Sequence, residues 1–362
     1  MRGASGTPRG PTPSGRPAND GACFRTVAGV LSLRTTLLIL ASCLMVLLAA
    51  WVGAALGFQA PGAAPVRAVL VVLWTGLTVV LLVAAWRGPA APALGGFALA
   101  FCAALLWWHT LRPSNERPWA DDVARTATGE VRGSTVTLDG VRNFDWRSRT
   151  DYTQHWETRT YDLDHLNLVD MIMSYWSGPA IAHMLVSFGF DDGEHVAFSV
   201  EIRREKSESF SEIGGFFKQF ELSVIASDER DVIRVRTNVR GEDDYLFSIR
   251  MPQPEMRSLF LAYVDVANRL LQTPRFYNTI TANCTTLVYH MMKRIVGGLP
   301  LSYRLLLSGY LPDYVYAVGG LDHNYPLTEL RARGRITERA KQSDRSETFS
   351  ADIRRGVPGA EP

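Results

Sequence analysis

Cysteine is scarce in this chain, and its placement excludes more than it suggests. The 362 residues hold four, Cys23, Cys43, Cys102 and Cys284. The first falls in an N-terminal tail and the next two in apolar runs. The globular remainder therefore has Cys284 alone and cannot form an internal disulfide. No CxxC pair and no HExxH motif occurs, which argues against the common structural and catalytic zinc sites. We expect no metal and no cofactor. Charge imbalance is also lacking: the formal net charge is +2, with no long basic run, so nucleic acid is not an expected partner.

Apolar residues are plentiful, at 47%, and unevenly spread. Residues 1–34 form a basic tail rich in Gly, Pro, Ser and Arg at its start, which cannot bury a core and is expected to be disordered and cytoplasmic. Three apolar runs follow, at 35–58, 68–86 and 94–111. Each holds roughly 18–24 residues without a charge, enough to cross a hydrocarbon core of ~30 Å. A cleaved signal peptide is disfavoured for the first, because the run is too long and two more follow. Arg2, Arg9, Arg16, Arg25 and Arg34 precede the first span. The positive-inside rule then places the N-terminus in the cytoplasm and everything after the third span outside, as in a bacterial inner-membrane protein with a periplasmic domain. Trp107 and Trp108 fall where aromatic belts occur.

Beyond residue 112 the sequence reads as an ordinary globular domain, expected to span 112–338. Strands are expected at 134–138, 181–190, 196–203, 221–226, 232–237 and 245–250, and helices at 254–271 and 284–296. A block of strands followed by helices predicts an α+β fold. Residues 339–362 are charged and are expected to form a mobile tail.

The strongest chemical signal surrounds Cys284. Asn283 is a good N-cap, and Leu287, Val288, Met291, Met292 and Ile295 make an apolar stripe at helical spacing. Lys293 and Arg294 suit the last turn, and Gly297 suits the end. Cys284 is then the first helical residue. The partial positive charge of a helix start favours its thiolate. The competing reading is a buried, inert cysteine.

A base must come from elsewhere, because His290 faces away on the same helix. Met184, Val186, Phe188 and Phe190 line one face of a strand, and Val196, Phe198, Val200 and Ile202 one face of the next. Keeping both sets on one side needs an odd loop, so Asp191, Asp192 and a left-handed Gly193 predict a three-residue hairpin. That register sets His183 opposite Glu201, which would hold the far nitrogen of the ring. The alternatives are a core histidine and a cross-strand ion pair. His195 is expected at the surface, with His155 and His165 as reserve bases. Asn283, Thr285 and Ser199 are candidates for the oxyanion or supporting positions. Asp228-Glu-Arg-Asp231 reads as a turn with local salt bridges, or as a contact to a charged head group.

Several of these pieces, in this order, resemble the Lnb N-terminal periplasmic domain family. They are Ala182-His183, Phe188-Gly-Phe190, Ser199-Val-Glu201-Ile-Arg203-Arg-Glu205, Asp228-Glu-Arg-Asp231, Phe276-Tyr-Asn-Thr and Asn283-Cys284-Thr-Thr. The resemblance implies a fold similar to permuted papain-like cysteine enzymes, in which histidine precedes cysteine. One branch of the family is a lipoprotein N-acyltransferase. Carried over, Cys284 would be the nucleophile and His183 the base, with membrane lipid and lipoproteins as partners and a thioester intermediate. A cysteine hydrolase of the envelope and a non-catalytic binding module remain the alternatives. The oligomeric state is not legible.

Overall fold

A computed structural model describes residues 32–360; the expected cytoplasmic tail up to residue 31, Cys23 included, lies outside the described residues. Three helices come first: α1 (Leu33–Gln59), α2 (Ala64–Arg87) and α3 (Ala90–Thr110). All three are long and apolar enough to cross a membrane, with mean hydropathies of 2.5, 2.6 and 1.8. Their leucines and valines mostly point outward, as lipid-facing side chains do. Ser32 caps α1 by accepting from the Thr35 N–H, so Leu33 and Arg34, expected in the tail, belong to this helix.

The rest is an α+β domain. Its strands are β1 (Thr128–Arg132), β2 (Thr135–Arg142), β3 (Asp145–Trp146), β4 (Tyr152–Thr153), β5 (Trp156–Asp162), β6 (Leu166–Tyr175), β7 (His183–Phe190), β8 (His195–Arg203), β9 (Glu221–Ser227) and β10 (Asp243–Ser248). Helix α4 (Glu229–Arg234) lies between β9 and β10 and runs into a π-helical turn, Val235–Arg240. After β10 come α5 (Gln253–Gln272), α6 (Cys284–Ile295), α7 (Leu311–Ala317), α8 (Leu327–Gly334), α9 (Thr337–Gln342) and α10 (Phe349–Arg354). The main sheet runs β1-β2-β9-β8-β7-β6-β10, with β5 also on β2. It is mixed, because β2 meets β9 in parallel while the other pairs are antiparallel.

The two faces of this sheet differ in chemistry. Met184, Val186, Phe188, Val196, Phe198 and Val200 pack under α5 and α6, where Phe260 and Tyr263 meet Phe188 and Phe198 edge-on or stacked. The opposite face carries Ile172, Leu185 and Ala197 against α4, α9 and α10, together with buried charges. There Arg354 binds Asp170 of β6 at 2.8 Å and Glu229 of α4 at 2.6 Å, and Ser187 donates to Glu229.

Three expectations are corrected. Residues 232–237 are helical rather than a strand. Asp228 caps α4 through the Arg230 N–H at 2.8 Å, and the β-branched Val232 and Ile233 are buried in the layer over the sheet. Tertiary packing overrides their strand preference. Residues 339–360 do not form a loose tail. Phe349, Ile353 and Ala360 are fully buried, and Arg354 supplies the ion pairs just described. The domain therefore extends through residue 360. Asp228-Glu-Arg-Asp231 is the start of a helix rather than a turn. Asp228 does pair locally with Arg230, but Asp231 is buried and binds Arg142 in bidentate fashion. Strand β6 escaped the sequence because a central strand buried on both faces shows no alternation.

Two contacts fix which end of the domain meets the helices. Asn115, just past α3, donates to the carbonyls of Leu270 and Leu271 at the end of α5. Its Oδ1 accepts from Arg203, the last residue of β8, at 2.9 Å. The ends of α5 and β8 therefore lie beside the helical bundle, and the β7–β8 hairpin loop lies at the far end.

Candidate functional site

Cys284 is held in place by the start of α6. Asn283 Oδ1 accepts from the Thr285 and Thr286 N–H groups at 2.9 and 2.8 Å, and Thr286 Oγ1 accepts from Asn283 N, a reciprocal capping box. The segment leading in is pinned by Tyr277 N to Phe220 O and by a tight Asn278–Ala282 turn. With that entry fixed, Cys284 is the first helical residue and is buried in the apolar layer.

His183 opens β7. The hairpin has a three-residue loop with Gly193 at φ 85°, and pairs Leu185 with Ser199 and Gly189 with His195. Continued two residues further, that register sets His183 opposite Glu201. By alternation His183 belongs to the charged face of the sheet, whereas Cys284 comes from the apolar layer. His183 ends its strand, near enough to Cys284 for the two groups to influence each other's ionisation, and the Met184 backbone also favours the thiolate.

The polar groups form a chain. His183 Nε2 lies 2.7 Å from Ser199 Oγ and 3.2 Å from Glu201 Oε1, and Ser199 donates to Glu201 at 2.7 Å. Arg236 binds Glu201 at 3.1 Å and Glu242 at 2.9 Å. Ser174 ties Glu242 to Asp244, whose carboxyl burial pushes up to about 7. Burial opposes the charged form of His183, but the Glu201 carboxylate outweighs it and raises the ring to about 9. Burial likewise opposes the Cys284 thiolate. The His183 ring, the Met184 N–H and the Thr285 hydroxyl prevail and bring the thiol below its ordinary value. Glu201 is driven well down despite its burial, by His183 and Arg236. These shifts favour the protonated ring of His183 and the thiolate of Cys284.

The other sequence candidates separate. Ser199 bridges the ring and the carboxylate, and Thr285 Oγ1 lies 3.8 Å from the sulfur. Asn283 caps the helix: its Oδ1 serves the helix start and its Nδ2 donates to Thr279 O at 2.7 Å. His155 and His165 are exposed, His165 resting 3.3 Å from Asp191 at the far end, so neither serves as base. His195, expected at the surface, is half-buried beside the Gly193 carbonyl. Among the described residues no cluster of three or more His, Cys, Asp or Glu is placed to hold a metal ion. Sequence reasoning missed Arg236, because its segment reads as a strand, and the Met184 N–H, a backbone group that only the fold delivers.

Residues 152–309 match the family model described as Lnb N-terminal periplasmic domain. The match covers β4 through the turn before α7, and so includes His183, Ser199, Glu201, Arg236 and Cys284. No curated protein and no solved structure matches the chain.

Proposed function

Taking residues 152–309 as an Lnb N-terminal periplasmic domain carried beside three candidate membrane helices, we propose a thiol-dependent acyltransferase of the bacterial envelope that acts on a lipid or lipoprotein. What supports this reading is that Cys284 and His183 each favour the other's charged form, near the end of the sheet that lies beside the three apolar helices. Glu201 lies two residues before Arg203, which bonds to the segment just after α3. A lipid carbonyl is the acyl group within closest reach of such a site. The family's likeness to permuted papain-like enzymes belongs to this proposal, as does an inner-membrane location with the segment before α1 in the cytoplasm.

The reaction has two steps. The Cys284 thiolate adds to an ester carbonyl of the donor lipid, forming a tetrahedral oxyanion. His183 gives its proton to the departing alcohol oxygen, the C–O bond breaks, and a thioester remains on Cys284. An amine, such as the N-terminus of a lipoprotein, then adds to the thioester. His183 takes the proton from the amine, the C–S bond breaks, and an amide leaves. Glu201, fixed by Arg236, keeps the ring oriented while it passes from imidazolium to neutral imidazole in the first step and back in the second.

Incubating the full-length protein with phospholipid and analysing the Cys284 peptide by mass spectrometry tests the proposal. A fatty acyl mass on Cys284, absent from Cys284→Ala, is the expected result. A peptidyl adduct would instead identify an envelope hydrolase. An unmodified thiol, with no effect of Cys284→Ala in cells, would reduce the domain to a binding module.

A further inference from the structure

Between β8 and β9 the chain makes an excursion that the chemistry at Cys284 does not use. It exposes large apolar groups in a tight space: Phe210 is 54% exposed, Ile213 62% and Phe216 42%. Trp176, 43% exposed, packs edge-on against Phe210. Soluble surfaces rarely gather such groups without a partner.

The loop's level relative to the helices is fixed by its next residues. Phe217 stacks on Phe58 at 5.5 Å and lies against Trp51 and Trp108. Phe58 and Trp108 are close to the ends of α1 and α3, on the same side of the bundle. Lys218 donates to the Trp108 carbonyl at 2.8 Å and lies over that indole. Its φ of 56° is uncommon for a residue with a side chain, and persists because these contacts define it. Aromatic rings and a lysine at helix ends mark the membrane–water boundary. Ile213 and Phe216 sit within a few residues of that boundary and point away from the protein.

The other side of the loop is closed by the segment that feeds α6. A Cβ at Gly215 would come within 2.4 Å of Thr279 Oγ1, and Thr279 donates to the Glu212 carbonyl at 3.0 Å. That contact covers one side of the loop and leaves Phe210, Ile213 and Phe216 exposed.

We propose that this loop is an interfacial anchor: Phe210, Ile213 and Phe216, with Trp176, enter the headgroup–acyl boundary of the bilayer that α1–α3 span. The partner is the lipid surface, and the seat holds the start of α6 at a constant height above it. The inference rests on α1–α3 crossing a membrane and is independent of any reaction at Cys284.

The test uses the full-length chain in phospholipid nanodiscs, with its four native cysteines replaced by serine. An environment-sensitive fluorophore is placed on Ile213→Cys or Phe210→Cys, and on Asp192→Cys as a reference. Asp192 is in the hairpin loop at the opposite end of the domain. The proposal expects nitroxide-bearing lipids to quench the labels at 213 and 210 several-fold more than the label at 192, with aqueous iodide showing the reverse order. Equal iodide quenching at 213 and 192 would overturn it. So would shielding of 213 from both quenchers, which would mean that a protein surface covers the loop. Since Cys284 is already serine in this protein, either outcome leaves the acyl-transfer reading untouched.

Discussion

The two faces of the sheet solve the same burial problem with different materials. Under α5 and α6 the contacts are between rings and aliphatic chains, and almost any filling of the right volume would serve. Under α4, α9 and α10 the burial includes Arg354 between Asp170 and Glu229, and Arg236 between Glu201 and Glu242. Those charges tolerate burial only in one arrangement, because a buried ion without its partner loses its hydration with nothing in return. The candidate site lies where the two layers meet, with its thiol from the adaptable side and its imidazole and carboxylate from the rigid one. Rigidity is placed where orientation of the ring matters.

Breaking the charged face should have the largest effect. Arg354→Ala strands two buried carboxylates and should cost about 3–5 kcal/mol, read from urea unfolding in detergent. Even Arg354→Lys should be poorly tolerated, since an ammonium cannot reproduce the forked contacts to Glu229. On the apolar face Leu259→Ala should cost about 2–5 kcal/mol. The volume-conserving Leu259→Met should cost less than about 1.5 kcal/mol. If Arg354→Lys proves as mild as Leu259→Met, the contrast between the faces fails.

This contrast also marks how much the sequence could reveal. Alternation in residues 184–202 yielded both strands, their shared face, the loop length and the position opposite His183, because burial on one side imposes period two. Apolar length alone predicted three helices long enough to cross a membrane. The charged face was hidden, since the partner of Glu229 is Arg354, in a segment whose composition reads as a solvated tail. A pair so distant in sequence leaves no periodic trace. Residues 232–237 misled for a related reason: alternating valines and arginines mimic a strand, and only the Asp228 cap and the layer above the sheet decide for a helix.

A smaller effect concerns pH. His183 holds its proton up to about 9 in the folded chain, against ~6.5 for an ordinary histidine. Its contribution to stability is therefore complete below ~6.5 and is lost as pH rises through about 9. Wild type should lose more stability across that window than His183→Gln. Equal losses would show that the ring is not held charged. Smallest of all, Asn283→Ala should destabilise by about 1 kcal/mol through loss of the cap at α6.

The most direct measurement is the pH dependence of alkylation at Cys284, followed on its own peptide by mass spectrometry so that the other cysteines do not interfere. A thiol paired with the imidazolium should react through a thiolate already present near neutral pH, with a midpoint below the ~8.5 of an ordinary cysteine. His183→Gln should move that midpoint upward. A midpoint at or above the ordinary value, unchanged by His183→Gln, would contradict the account.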